Sequence, residues 1–161
     1  MTSDKPNQYA IEQVLPHSAP MILLDELLDY GEDWGLCAVN IGPASLFYDS
    51  AQQGVPSYIG IEYMAQTIAA FAGADALNNQ QSVEVGFLLG SRKYQPTATL
   101  FNNGSQLHVH VSRLYQEESG LRVFQCRISD SAKPSDIIVD AKVNAFLPKK
   151  NPNQPSQKEP S

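Results

Sequence analysis

Residues 106–116 (QLHVHVSRLYQ) alternate without a break, with Leu107, Val109 and Val111 on one side and His108, His110 and Ser112 on the other. A period of two predicts a strand with one buried and one outward face. LRVFQCRIS (121–129) alternates through Val123/Gln125 and Phe124/Cys126. DIIVDAKVNAFL (136–147) sets Ile137, Val139, Ala141, Val143, Ala145 and Leu147 inward, and VEVGFLLGSRKY (83–94) is a further strand running toward Pro96. Turn formers at Asn102-Asn103-Gly104, Glu118-Ser119-Gly120 and Lys133-Pro134-Ser135 join these four strands as a meander. Upstream, MILLDELLDY (21–30) and WGLCAVNIG (34–42) flank a Gly-Glu-Asp turn signal and predict a hairpin. PASLFYDSAQQGV (43–55) reads as a loop, and Ile11, Val14 and Leu15 as a short helix stopped by Pro16.

Between the hairpin and the meander lies PSYIGIEYMAQTIAAFAG (56–73), with a different pattern. Pro56 suits a first helical turn, and Asn78-Asn79 closes the helix near Leu77. Apolar residues occupy nearly every side of it, as expected of a helix that is wrapped rather than laid on a surface. Set into that run are Glu62 and Gln66. A buried carboxylate is costly unless it is paired or used, so Glu62 is the first candidate for chemistry. One apolar helix and an antiparallel sheet with one apolar face have a simple packing solution, in which the sheet curls around the helix. The predicted class is α+β, a curved antiparallel sheet around one long central helix. Such a sheet has free edges, and pairing through a strand edge into a dimer is expected.

The chain has 161 residues and a formal charge of −6, with a sequence pI near 4.9 and a mean hydropathy of −0.27. The expected organisation is a flexible N-terminus (1–8), one domain (9–148) and a disordered tail (149–161) whose thirteen residues include three prolines and no apolar side chain. The charge excludes nucleic-acid binding, which needs clustered cations. Arg92-Lys93, the only short basic pair in mid-chain, reads either as a docking point for an acidic carrier protein or as a solvated strand end. Cys37 and Cys126 read as core thiols, and no Cys/His spacing suits a metal. No signal peptide or membrane span is expected, which makes a cytoplasmic location the default. Phosphate-binding, dinucleotide and serine-hydrolase motifs are missing from the sequence.

Two motifs add a resemblance. VLPHSAPMILLDEL (14–27) is similar to the L-P-H-x-x-P opening of bacterial β-hydroxyacyl-acyl-carrier-protein dehydratases, and GIEYMAQ (60–66) resembles the E-x-M-A-Q start of their central helix. The likeness covers about residues 10–148, and is nearest to the hot-dog dehydratases of bacterial aryl-polyene pigment clusters. It implies the hot-dog fold and the removal of water from a 3-hydroxyacyl thioester to give a 2-enoyl thioester, in fatty-acid or polyene-type biosynthesis. It also implies a substrate carried on the phosphopantetheine of an acyl carrier protein, with no metal or redox cofactor, and an apolar tunnel between two central helices. Glu62 aligns with the family carboxylate, whose task is the leaving hydroxyl. Gln66, Pro56, Ala65, Ala69 and Gly73 are the candidate substrate-contacting positions, the small ones setting the tunnel bore. Asp25 matches the Asp that ends the L-P-H run and is expected to make a structural hydrogen bond to the loop.

One feature of the family pattern is missing. The family's basic His lies in an H-F-P-x-x-P-x-x-P-G segment before the central helix, and here that segment is SLFYDSAQQGVPSY (45–58), where the His position falls near Tyr48. No His occurs between His17 and His108. Three readings stay open: a relocated base, with His17, Tyr48 or Asp49 as candidates; a non-catalytic subunit completing a heterodimeric dehydratase; or an acyl thioesterase, since helix carboxylates also activate water. His108 and His110 are expected at exposed sheet positions.

Overall fold

The structure, a computed structural model, describes residues 9–17, 20–83 and 87–146. The expected flexible N-terminus, the tail and Leu147 lie outside the described residues. In chain order the elements are one helical turn, α1 (Ile11–Val14), then strands β1 (Glu26–Tyr30), β2 (Trp34–Asn40) and β3 (Gly54–Pro56). A 3-10 turn (Ser57–Ile59) runs into α2 (Gly60–Asn78), followed by β4 (Phe87–Arg92), β5 (Leu100–Asn102), β6 (Gln106–Gln116), β7 (Leu121–Asp130) and β8 (Lys133–Phe146).

Six strands form one antiparallel sheet in the order β1-β2-β6-β7-β8-β4, and β3 pairs with β5 in a separate two-stranded ladder. Leu107, Val109 and Val111 of β6, Phe124, Cys126 and Ile128 of β7, and Val139, Ala141 and Val143 of β8 are all buried. Helix α2 packs over this apolar face, chiefly against β1, β2 and β6. Gly35 of β2 lets the helix come close, since a Cβ there would meet Phe71 Cβ at 2.8 Å. The long helix and the curled sheet are therefore present as the pattern predicts.

Four details differ. The meander has three strands, β6-β7-β8, while β4 crosses to pair with the far side of β8; alternation along a chain says nothing about which neighbour a strand takes. The last turn is at Ser131-Ala132, and Lys133-Pro134-Ser135 already belong to β8, at an end where no described strand pairs with Pro134 or Ser135. Proline tolerates such a position because it has no N–H to donate. Ile137 is 37% exposed rather than inward, next to a register shift where β7 pairs with β8. Pro56 ends β3 and α2 begins four residues later, at Gly60.

The cysteines are core residues, as expected. Burial pushes the Cys37 thiol up to about 12 despite a hydrogen bond with Thr67, and burial also raises Cys126. Neither is suited to act as a nucleophile. Among the described residues no helix is long and apolar enough to cross a membrane.

Candidate active site on the outer face of the central helix

At 100° per residue, Glu62, Gln66, Ala69 and Gly73 share about 60° of arc on α2. Residues 14–17 and 20–25 lie along this face as a strap. At one end the Val14 carbonyl sits where only glycine fits, because a Cβ on Gly73 would stand 1.9 Å from Val14 O. Further along, Gln66 Nε2 donates to Met21 O (2.7 Å), and Leu23 N donates to Gln66 Oε1 (2.9 Å). The strap then leaves the helix for the sheet: Asp25 N donates to Ala38 O (2.9 Å), and Asp25 Oδ2 accepts from Asn40 N (2.7 Å). The expected structural role of Asp25 is thus met by a strand-end bond.

Glu62 is one turn beyond the point where the strap departs, and it is exposed. This corrects the expectation of a buried carboxylate. Pattern alone counts Ala65, Ala69 and Ala72 as apolar, yet all three are only half-buried. They form an outer stripe that the described residues leave partly uncovered. Among the described residues the Glu62 carboxylate has no hydrogen bond and no ion pair. It is accessible, and unpaired among those residues.

The other candidates are spread out. Gln66 is 4% exposed, and both ends of its carboxamide hold the strap. Its geometry is that of a clamp, not of a substrate contact. Gly73 is likewise taken up by α1 and does not set a tunnel bore. His17 is exposed on the strap, whose two anchors on α2 are roughly 6 and 16 Å along the axis from Glu62. Tyr48 is half-buried and packs against the core, with its N–H on Ser45 O at 3.1 Å. Next to it the exposed Phe47 has φ 68°, a conformation that costs a bulky residue roughly 1–3 kcal/mol. Asp49 is committed to its own loop, accepting from Gln52 Nε2 (2.9 Å), Ala51 N (2.9 Å) and Gln52 N (3.2 Å). Those bonds, led by the Gln52 side chain, hold its carboxyl below the usual range and make it a weak base. Pro56 is half-buried at the end of β3. His108 and His110 are on the sheet face away from the helix, and both are half-buried rather than exposed.

Sequence reasoning missed two tyrosines. Tyr63 is 1% exposed and packs against Phe101, with ring centroids 5.7 Å apart and the planes tilted by 32°. Burial, and then the Asp25 carboxylate, raise its pKa. It helps to line a cleft of about 490 Å³ between the strap (Pro20, Ile22, Leu24) and the loop that carries Leu46. Tyr94 reaches the 3-10 turn that leads into α2, where its Oη donates to Ser57 O at 2.5 Å. Neither stood out in sequence, because a tyrosine in an apolar run reads as core. Among the described residues no group of His, Cys, Asp and Glu could hold a metal.

A six-stranded antiparallel sheet curled on one long helix is the hot-dog architecture. The chain belongs to the ApeP-like dehydratase family, whose profile matches residues 9–157. A chain of the dehydratase heterocomplex ApeI:P from Xenorhabdus doucetiae superposes with a TM-score of 0.80 at 25% identity, covering 89% of this chain and 94% of that one. The 3-hydroxyacyl-[acyl-carrier-protein] dehydratase FabZ of Pseudothermotoga lettingae is 36% identical over 76 residues, which is 45% of this chain. The match spans about half (51%) of that curated relative's length. A hypothetical thioesterase with coenzyme A from Streptococcus pneumoniae shares the fold alone, with a TM-score of 0.58 at 9% identity over 78% of this chain and 88% of that one.

Proposed function

We propose that this protein is one subunit of a two-subunit hot-dog dehydratase that removes water from a 3-hydroxyacyl thioester carried by an acyl carrier protein in the cytoplasm. Glu62 supplies the acid and the second subunit supplies the base. The observation that carries this reading is the accessible, unpaired Glu62 carboxylate beside an uncovered stripe of small apolar residues. No described imidazole is placed to complete the site from within the chain. His108 and His110 point off the other face of the sheet, and His17 rides on the strap beyond Gln66.

In this site the partner's base takes the α-proton, the electron pair moves to form the Cα–Cβ double bond, and the Cβ–O bond breaks. The Glu62 carboxyl gives its proton to the departing hydroxyl, and water leaves. A carboxyl enclosed by a partner surface is favoured in its neutral, donating form. The family match and the ApeI:P likeness support pairing with a second hot-dog subunit. The apolar wall of the cleft beside Tyr63 is suited to an acyl chain.

The test is reconstitution. The purified chain alone, and the chain mixed with a hot-dog subunit that carries the histidine segment, are each given a 3-hydroxyacyl thioester, and enoyl formation is followed. Activity is expected only in the mixture, and Glu62→Gln in this chain should abolish it. Enoyl formation by the chain alone would point to an internal base, and release of free thiol from a saturated acyl thioester would point to a thioesterase.

A further inference from the structure

Helix α2 starts without a side-chain cap: Ile59 stands at the N-cap position, and no side chain bonds to it. Here a side chain remote in sequence reaches in. The Tyr94 hydroxyl donates to Ser57 O at 2.5 Å, the same carbonyl that accepts from the Gly60 backbone N–H. One phenol thus ties the 3-10 turn to the first turn of α2.

The fit is close on every side. A Cβ on Gly60 would lie 2.1 Å from Tyr94 Oη, 2.9 Å from Ile128 Cδ1 and 3.0 Å from Phe101 Cζ. Any side chain at position 60 would push the phenol out. Lys93, immediately before Tyr94, holds φ 57°, a left-handed backbone that is strained for a non-glycine residue. The kink falls at the residue that turns the chain from β4 into the position of Tyr94.

We propose that Tyr94 is a positioning residue that fixes the first turn of α2 and with it the aim of the Glu62 carboxylate. The inference rests on the reading of Glu62 as the acid. Glu62 is one residue past Ile61, on an exposed face where nothing among the described residues holds its side chain. Its direction is therefore set by the backbone beneath it. Misplacing a reacting group by about 1 Å can cost up to a hundredfold in rate.

The experiment compares wild type, Tyr94→Phe and Gly60→Ala in the reconstituted two-subunit complex, together with amide hydrogen exchange at Ile61 and Glu62. Tyr94→Phe keeps the ring and removes the bridging oxygen. It should lower kcat about tenfold with KM within about twofold, and should speed exchange at those two amides. Gly60→Ala, which displaces the same oxygen, should give the same kcat loss, and the double variant should lose no more than either single one. Unchanged kcat in Tyr94→Phe, or an equal change in KM, overturns the proposal. If the wild-type complex performs no dehydration, the reading of the reaction fails instead, and exchange alone decides the matter. Faster exchange at Ile61 and Glu62 in Tyr94→Phe then supports the positioning role, and unchanged exchange overturns it.

Discussion

The inner and outer faces of α2 were built under different constraints. The inner face carries Tyr63, Met64, Thr67, Ile68, Phe71 and Ala74, all buried within the chain itself. The outer face carries Ile61, Glu62, Ala65, Ala69 and Ala72, which are half-buried or exposed. Both faces are almost wholly apolar, so hydropathy cannot tell them apart. Side-chain size does. The inner face uses large side chains that fill a core, whereas the outer one uses small ones that let another surface come near. Glu62, the charged group on that side, has no structural partner among the described residues, which is why it is read as chemistry.

Glu62→Gln should break this contrast most sharply. An acid in general acid catalysis is worth about 10²–10⁴ in rate, and that loss is expected in the reconstituted complex. The same change on an exposed face should move stability by no more than about 0.5 kcal/mol. Steady-state kinetics and thermal unfolding on one sample check both halves. A large drop in stability would place Glu62 among the structural residues.

Phe71→Ala is the converse. Phe71 is 3% exposed, makes an edge contact with Phe124 at 6.3 Å and rests on Gly35. Truncation should cost about 3–5 kcal/mol by denaturant unfolding. Any activity lost should return in proportion to the fraction folded. Loss of rate beyond that fraction would show that the two faces are not separable.

Gln66→Leu probes the seam between the faces. It keeps the bulk but leaves Met21 O and Leu23 N without their partner. Orphaned buried groups cost about 1–3 kcal/mol each before any relaxation toward water. A loss in the lower part of that range is expected, along with faster exchange at the Leu23 amide.

How far the sequence could have led here depends on the range of each signal. The alternation at Leu107–Ser112 is local, and β6 spans the predicted residues. The helix was equally plain, because a long apolar run bounded by Pro56 and Asn78-Asn79 has few other uses. The fold class followed from those two, and the dehydratase likeness from GIEYMAQ and VLPHSAP. The pairing of β4 with β8 is a long-range choice with no local mark. Strands β3 and β5 are three residues each, too short to show a period. The strap contacts of Gly73 and Gln66 leave no local mark either, since the strap is some forty to sixty residues away. Tyr94 is hidden in the same way: its partner Ser57 is 37 positions distant, and only the folded chain shows what the hydroxyl does.

The smallest expected effect lies away from the helix, and it serves to show that the sheet's outer face is not a third site. His110 is half-buried and stacks on Trp34, with ring centroids 5.9 Å apart. Burial first, and then the neighbouring Arg127, hold its pKa below the ordinary 6.5. Arg127 is itself paired with Asp140 at 3.3 Å, which weakens its push. The fold therefore favours the neutral imidazole, while the unfolded chain takes up a proton near pH 6.5. Between the two values the unfolded state binds more protons, so stability falls as pH drops through that window and levels off below the folded value. Above about pH 6.5 this group adds no slope. Thermal unfolding from about pH 5 to 8 should show His110→Gln with a flatter acid side than wild type. Dehydration in the complex should keep its rate, because this imidazole faces away from Glu62. A His110→Gln enzyme that lost its activity would move the missing base to the opposite side of the sheet and undo the division of labour between the two faces of α2.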